Sequence, residues 1–387
     1  MGRARVDVLY VNIGRGHPFY LDGIVQQLDR ERLGRVADVF GVCRGPGGWL
    51  WHVARGLYRW GSSCGGGRPL YSRLRAGMDY AQARRLVRAL GRSLETAWRS
   101  SPQLLLISHP LLVAALGGRP EVVYQHGELA VPREALVPGL HHVLVPDAAA
   151  AEVFVRAGHA PDRVQVTGLC VEASLATAAP DAFARRCARL DSAQPLTGAY
   201  FSSGAEPRLH VATLAAAACD AVARGGAAVL FAQRGGRYHA AAMRAFRRAN
   251  LPLPCPRTGA GFQLQAGAAT LALFTTRTEL ESHTAMAFPQ LDYVLAPAHE
   301  RSHWALGLGL PLFIVEPSIG SFAPLNQARL LAEGVAEALP PGAGAGFGPR
   351  LEALRQSGGL TRMAQAGWGR YDIQGFANAA RWLEARV

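Results

Sequence analysis

Closely spaced cysteine pairs, long apolar runs and sequence repeats are all missing from this chain of 387 residues. Its six cysteines form no Cys-x-x-Cys pair and lie near no histidine cluster, which argues against a zinc site or a disulfide framework. No apolar window approaches the ~18 residues of a membrane-spanning helix. The first residues run into a strand pattern that leaves no room for a signal peptide. We therefore expect a cytoplasmic protein in a reducing environment.

Lysine is also missing, so all 41 basic side chains are arginine, and against 28 acidic residues they give a net charge of +13. Such an excess suits phosphate-bearing small molecules, anionic lipid surfaces or nucleic acid, although it also accompanies the alanine- and glycine-rich composition of high-GC genomes. No nucleic-acid-binding module is recognisable, so nucleic acid is not an expected partner. Hydrophobic residues make up 49% and charged residues 18%, which favours a globular chain.

Strand-like runs alternate with helical patterns along the whole chain, which is typical of parallel sheets with helical crossovers. A length of 387 residues suits two domains. The predicted fold class is α/β, with two Rossmann-like domains facing a cleft. The predicted parts are an N-terminal domain (1–175), a linker (176–195), a C-terminal domain (196–365) and a helix (366–387) that returns to the N-terminal domain.

Residues 47–74 interrupt the alternation and hold three of the seven tryptophans together with four arginines. Aromatic rings beside guanidinium groups are typical of a helix that lies at a lipid headgroup layer. An ordinary amphipathic helix packed on the sheet is the other interpretation. If the segment is a lipid-contacting helix, a membrane surface is a partner, and the protein lies at the inner face of that membrane.

A glycine turn, Gly14-Arg15-Gly16-His17, follows the first strand pattern and opens a helical one. In open parallel sheets such turns lie at the ligand-binding edge. The turn is not a dinucleotide fingerprint, because the third glycine is missing. His17 is a candidate general base there, since imidazole titrates near neutrality. A histidine that only caps or fills the turn is the alternative.

Five stretches in the same order resemble GT-B glycosyltransferases related to monogalactosyldiacylglycerol synthases and the lipid-linked N-acetylglucosaminyltransferase of cell-wall synthesis. The resemblance implies the transfer of a sugar from a nucleotide-diphosphate sugar, such as a UDP-sugar, to an acceptor hydroxyl, with inversion at the anomeric carbon. Lipids and lipid-linked molecules are among the candidate acceptors. The resemblance also implies that no cofactor or metal is required. The stretches are "VNIGRGHPFYLDGIVQQL", "LLLISHPLLVAAL", "VVYQHGELAVP", "HHVLVPDAAAAEVFVRAGHAPDRVQVTGLCVE" and "LGLGLPLFIVEPSIGSFAPLNQARLLAEGVA".

The resemblance also implies site residues. His17 would handle the acceptor hydroxyl on the N-terminal domain, with Glu128 or His126 in the place of an acidic residue. The donor would be bound by strand-end residues of both domains. These are Gly14, Gly16, Ser202, Ser203, Gly204, Arg234, His299, Glu300, Ser302, His303, Gly320, Ser321, Phe322 and Asn326.

One departure leaves alternatives open. Where the resembled enzymes carry a glutamate that holds a donor hydroxyl, this sequence has Trp304, so either Glu300 or His303 substitutes or the donor is unusual. A non-hydrolysing nucleotide-sugar epimerase of the same fold and a non-catalytic binding protein are the competing interpretations. The sequence makes no prediction about the oligomeric state.

Overall fold

A computed structural model describes residues 5–12, 16–43, 45–63, 79–80, 87, 89–91, 94–95, 98, 103–116, 119, 121–256 and 264–387. The chain divides into two compact units. The first unit consists of Met1–Ala173, Gly320–Leu325 and Asp372–Val387, and the second of Ser174–Ile319 and Asn326–Tyr371.

The first unit contains a six-stranded parallel sheet with the strand order β2-β1-β3-β4-β5-β6. Its inner strands are buried on both faces, which explains why they are apolar runs without alternation. The strands are β1 (Val6–Tyr10), β2 (Leu33–Asp38), β3 (Leu104–Ile107), β4 (Val122–Gln125), β5 (His142–Val145) and β6 (Val164–Val166).

The second unit contains a seven-stranded parallel sheet with the order β13-β12-β11-β7-β8-β10-β9. Its strands are β7 (Thr197–Phe201), β8 (Ala227–Gln233), β9 (Cys255–Pro256), β10 (Ala269–Phe274), β11 (Tyr293–Ala296), β12 (Leu312–Val315) and β13 (Ala336–Leu339). The predicted α/β class with two parallel sheets is confirmed. The two-residue strand β9 is too short for a clear pattern and was not predicted. The strand β13 was not predicted either, because Glu337 interrupts its apolar run.

Helices connect the strands of both units. They are α1 (Gly16–Val25), α2 (Val39–Val42), α3 (Gly45–Ser63), α4 (Pro110–Leu116), α5 (Ala148–Arg156), α6 (Ala173–Leu190), α7 (Arg208–Ala223), α8 (Arg237–Arg248), α9 (Arg277–Ala287), α10 (Ser302–Leu308), α11 (Phe322–Ala332), α12 (Phe347–Gln356), α13 (Gly359–Ala366) and α14 (Gly375–Glu384).

The C-terminal helix α14 belongs to the first unit, so the predicted return of the chain is confirmed. It packs on α1, where the rings of Phe19 and Phe376 lie 5.5 Å apart. A Cβ on Gly23 would lie only 2.2 Å from the Phe376 ring, so this crossing requires glycine.

The second unit is anchored by Arg186 of α6, whose side chain is completely buried. Its guanidinium donates to the carbonyl oxygens of Leu291 (2.9 Å), Leu308 (2.7 Å) and Gly309 (3.0 Å). Burial lowers the pKa of Arg186 to about 10, the charge of Asp292 opposes that shift, and the group stays protonated at neutral pH. The side chain thereby ties α6 to the end of α10 and to the start of β11.

Candidate functional site

The strand order of the first sheet reverses between β1 and β3, and ligands of open parallel sheets bind outside such a reversal. His17 lies in the first turn of α1, the helix that follows β1 in the chain, and is half-buried. Ser108, directly beyond β3, donates its hydroxyl to the carbonyl oxygen of His17 at 2.8 Å. Gly16 begins α1, whereas Gly14 lies outside the described residues. His17 is therefore held beside the point where the strand order of its sheet reverses.

His109, which follows Ser108, is a site residue that the sequence interpretation missed. Its ring centroid lies 4.5 Å from that of His17, and the two rings are tilted by 52°. The side chain is buried, and its Nδ1 accepts the amide of Leu111 in the first turn of α4 at 3.2 Å. This bond leaves the proton of a neutral ring on Nε2. The position at the end of a predicted strand was the available signal.

His126 directly follows β4 and is almost completely buried. Its Nδ1 lies 3.2 Å from the hydroxyl of Tyr124, and its ring lies 5.3 Å from that of Phe154. Burial lowers the pKa of His126 from 6.5 to about 4, although the nearby Glu128 opposes the shift. At neutral pH His126 is therefore an uncharged hydrogen-bonding group.

Phe322, which belongs to the same unit, brings two of the predicted residues together. Its ring centroid lies 6.0 Å from that of His17 and 6.1 Å from that of His126. Next to it in the chain, Ser321 donates its hydroxyl to the buried carboxylate of Glu134. Histidines 17, 109 and 126 therefore lie around one end of the first sheet.

Glu128 is buried in the segment after β4, as is Glu134 in the short 3₁₀-helix Arg133–Ala135. Burial raises the pKa of Tyr124, and the charges of Glu134 and Glu128 raise it further. Two carboxylates thus lie close enough to Tyr124 to raise the pKa of its hydroxyl. Of these two glutamates, only Glu128 was predicted from the sequence as a site residue.

In the second sheet the strand order reverses between β7 and β11. Ser202, Ser203 and Gly204 directly follow β7, and Ser202 is buried. His299 and Glu300 follow β11 and are half-buried. These five predicted donor residues therefore lie on the two loops of the reversal.

The remaining residues around β11 are internal. Ser302 and His303, in α10, are completely buried. Trp304 is also completely buried, with its ring 4.2 Å from the Arg301 guanidinium and 5.6 Å from the Phe201 ring. Trp304 is therefore a core residue. Asn326, also buried, donates to the carbonyl oxygen of Ala298 at 3.0 Å and so fixes the loop after β11.

Arg234 and Gly320 occupy the other predicted donor positions. Arg234 is exposed at the end of β8 and lines a cavity of about 190 Å³ together with Glu279 and His283. It lies on the far side of β7 from the reversal. Gly320 has φ +91°, and a Cβ there would meet open space, so its backbone conformation and not crowding favours glycine.

The helix α3 carries an apolar surface that is open to solvent. Trp49 is 65% exposed and Leu57 is 60% exposed, and Val53 between them is exposed as well. Spacings of four residues place these side chains on one helix face. On another face Trp51 is buried and donates its indole N–H to the carbonyl oxygen of Leu90 at 3.3 Å. Residues 64–74 of the predicted lipid-contacting segment lie outside the described residues.

Two further observations concern metals and membranes. In the part of the chain that the structure describes, no group of three or more histidine, cysteine or acidic side chains is arranged to hold a metal ion. Among the same residues, none of the helices is both long and apolar enough to cross a bilayer.

No protein-family model matches the chain, and no curated protein sequence matches it. Solved structures do match. The UDP-GlcNAc 2-epimerase of Neisseria meningitidis bound to UDP-GlcNAc has a TM-score of 0.51 at 10% identity and covers 98% of both chains. S. aureus MnaA with UDP has a TM-score of 0.54 at 9% identity, with 99% of this chain and 97% of that chain covered. The spinosyn rhamnosyltransferase SpnG with spinosyn aglycone has a TM-score of 0.53 at 16% identity, with 99% of both chains covered.

At these identities the likeness establishes the fold alone. The two parallel α/β sheets of this chain are those of the GT-B class, which the UDP-GlcNAc 2-epimerase and the rhamnosyltransferase share. No sequence match supports the finer resemblance to monogalactosyldiacylglycerol synthases. The chain thus has a GT-B fold with a cluster of histidines at the reversal of its first sheet.

Proposed function

We propose that this chain is a glycosyltransferase that moves a sugar from a UDP-sugar to an acceptor hydroxyl. The observation that carries the proposal is the position of His17, half-buried at the reversal between β1 and β3, with Ser108 bonded to its carbonyl and His109 against its ring. A general base must lie within hydrogen-bond reach of the proton that it accepts, and contacts that hold His17 in position support this role.

In the proposed reaction, His17 accepts the proton of the acceptor hydroxyl while that oxygen attacks the anomeric carbon of the sugar. The bond from this carbon to the diphosphate oxygen breaks, and the nucleoside diphosphate leaves with the electron pair. Attack opposite the leaving group inverts the anomeric configuration. His126, uncharged at neutral pH, would take part as a hydrogen-bonding group and not as a cation.

The second unit would bind the donor. Its loops after β7 and β11 supply hydroxyls from Ser202 and Ser203, backbone amides around Gly204, and the half-buried side chains of His299 and Glu300. Amide and hydroxyl donors at strand ends suit diphosphate oxygens. The resemblance implies that no metal is required.

His17→Ala tests the proposal. We expect it to leave the thermal midpoint of unfolding almost unchanged and to lower the rate of sugar transfer by at least about 100-fold. His141→Ala is the matched control, because this histidine lies before the amino end of β5, away from the reversal. A screen of nucleotide-diphosphate sugars for thermal stabilisation identifies the donor first. Near-normal transfer by His17→Ala would contradict the proposed role.

An epimerase is the second candidate, and the buried carboxylates favour it. Glu128, Glu134 and Glu172 are all buried in the first unit, which gives this unit more candidate acids and bases than the sequence pattern indicated. An epimerase changes the nucleotide sugar without an acceptor. Incubation of the protein with the UDP-sugar alone therefore separates the two reactions, because only an epimerase would yield an epimerised sugar nucleotide.

The proposed acceptor is a lipid at an anionic membrane surface, reached through α3. Between Asp38 and Asp79 the sequence has six arginines and no acidic residue. The exposed Trp49 and Leu57 would enter the headgroup layer while arginines face anionic lipids. We expect co-sedimentation with phosphatidylglycerol vesicles, lost in a Trp49→Ser/Leu57→Ser variant. Equal sedimentation of both proteins would refute this surface.

A further inference from the structure

Glu206, in the loop after β7, has a strained backbone. Its φ is +45°, and the only other non-glycine residue with positive φ in the described ranges is Asn250, a residue type that adopts this conformation readily. The amide of Glu206 donates to the carbonyl oxygen of Ser203 at 3.1 Å, which closes a turn around Gly204. Such strain persists only where other contacts hold the residue in place.

The contacts that hold Glu206 come from α8. Its carboxylate, which is buried, accepts the amides of Arg237 and Tyr238, the latter at 3.2 Å. In return the Arg237 guanidinium donates to the carbonyl oxygen of Glu206 at 3.1 Å. The loop and the first turn of α8 are thus bonded in both directions.

Gly236 makes room for this carboxylate. A Cβ at that position would lie 2.8 and 2.9 Å from the two carboxylate oxygens of Glu206 and 2.9 Å from the carbonyl oxygen of Gln233. Because Glu206 uses the first amides of α8, this helix end is not open to a donor phosphate. The glycine at position 236 therefore leaves the space in which the Glu206 carboxylate holds the loop after β7.

We propose that Glu206 is a positioning residue that holds Ser202, Ser203 and Gly204 in the shape that receives the donor diphosphate. The proposal rests on the proposed function, because it assigns the donor to this loop. It deepens that function by naming the contact that keeps the loop ordered before the donor binds. A loop that must be ordered during binding lowers the affinity, whereas a preordered loop does not.

The test is calorimetric titration of the folded protein with UDP, together with steady-state kinetics for the donor. We expect Glu206→Ala to raise the Kd for UDP and the KM for the donor about tenfold, with kcat changed less than about twofold. Glu206→Gln retains one acceptor oxygen and should lie between wild type and Glu206→Ala. Gly236→Ala should reproduce the loss, because its methyl group displaces the same carboxylate.

Asp220→Ala is the matched control. Asp220 accepts the amide of Gly348 in the first turn of α12 at 2.6 Å, so it is also a carboxylate on a helix terminus of the second unit. It lies near the end of α7, on the side of the sheet where the strands begin. Its loss should lower the thermal midpoint without changing the Kd for UDP.

The outcomes are distinguishable. If wild type binds UDP and the Glu206 and Gly236 variants bind equally well, the role of Glu206 is wrong and the proposed function stands. If wild type binds neither UDP nor another nucleoside diphosphate, the proposed function fails and the role of Glu206 fails with it. If Glu206→Ala does not fold, Glu206→Gln and Gly236→Ala decide the question by the same titration.

Discussion

Replacing His126 by glutamine should change how the stability of the protein depends on pH. The ring is buried, and burial lowers its pKa from 6.5 to about 4. In the unfolded chain the same imidazole titrates near ~6.5. Below that pH the imidazole is protonated in the unfolded state, whereas in the folded state it stays neutral until the pH approaches 4. Acidification therefore destabilises the fold through this residue.

The size of the effect follows from the two pKa values. A pKa lowered from 6.5 to about 4 corresponds to a change of about 3 kcal/mol in the free energy of unfolding. About 2 kcal/mol of this stability is lost between about pH 7.5 and about pH 5. Urea unfolding of wild type and of His126→Gln at both pH values gives the two losses in free energy of unfolding. We expect wild type to lose about 2 kcal/mol more than the variant.

The other titratable groups of the chain are common to both proteins, so their contribution cancels in the difference. His141→Gln controls for the replacement of a histidine in the same unit. Parallel losses in wild type and His126→Gln would refute the reasoning, because they would mean that the folded state protonates this ring as easily as the unfolded state does. In that case His126 could carry a charge during catalysis.

Three further changes test other parts of the structure. His109→Asn removes the ring that lies against His17 and should lower kcat by on the order of 10- to 100-fold, measured by steady-state kinetics; unchanged turnover would exclude a positioning role. Arg186→Leu leaves three buried carbonyl oxygens without their donor and should cost on the order of 3–5 kcal/mol in urea unfolding; a loss below about 1 kcal/mol would contradict the buried contacts. Trp304→Glu places an acid in a completely buried position and should abolish cooperative thermal unfolding, whereas a stable, folded variant would show that this site can hold the glutamate of the resembled enzymes.

The glycine turn with His17 could be predicted because its signal is local. An apolar strand, two glycines and a helical pattern follow one another within about 20 residues, and parallel α/β folds bind ligands at such junctions. The same holds for the strands that Ser202 and Glu300 follow. These positions depend on the pattern of a single segment. In the structure His17 lies in the helix that follows β1, and Ser202 and Glu300 lie in the loops that follow β7 and β11.

The contact between His17 and His109 could not be predicted in the same way. It depends on β1 and β3 being neighbours, with β2 on the outer side, and strand order is not a property of any one segment. The cap of α8 by Glu206 is likewise non-local, since 31 residues separate Glu206 from Arg237. Both contacts arise from tertiary packing that periodicity does not encode.

At Trp304 the structure explains why the sequence differs from the resembled enzymes. The resemblance aligns Trp304 with a donor-binding glutamate, yet Trp304 and the rest of α10 are buried, and the apolar run "WALGLGLP" is typical of a core helix. Its indole supports the guanidinium of Arg301 at 4.2 Å, and the ring of Phe201, the last residue of β7, lies 4.8 Å from the same guanidinium. The cation of Arg301 therefore lies between two aromatic rings at the reversal of the second sheet, three residues before the position that the resemblance aligns with a glutamate. If this edge binds the donor as proposed, a positive charge there would favour the diphosphate of the donor over the hydroxyls of its sugar, because a guanidinium pairs with anionic oxygens.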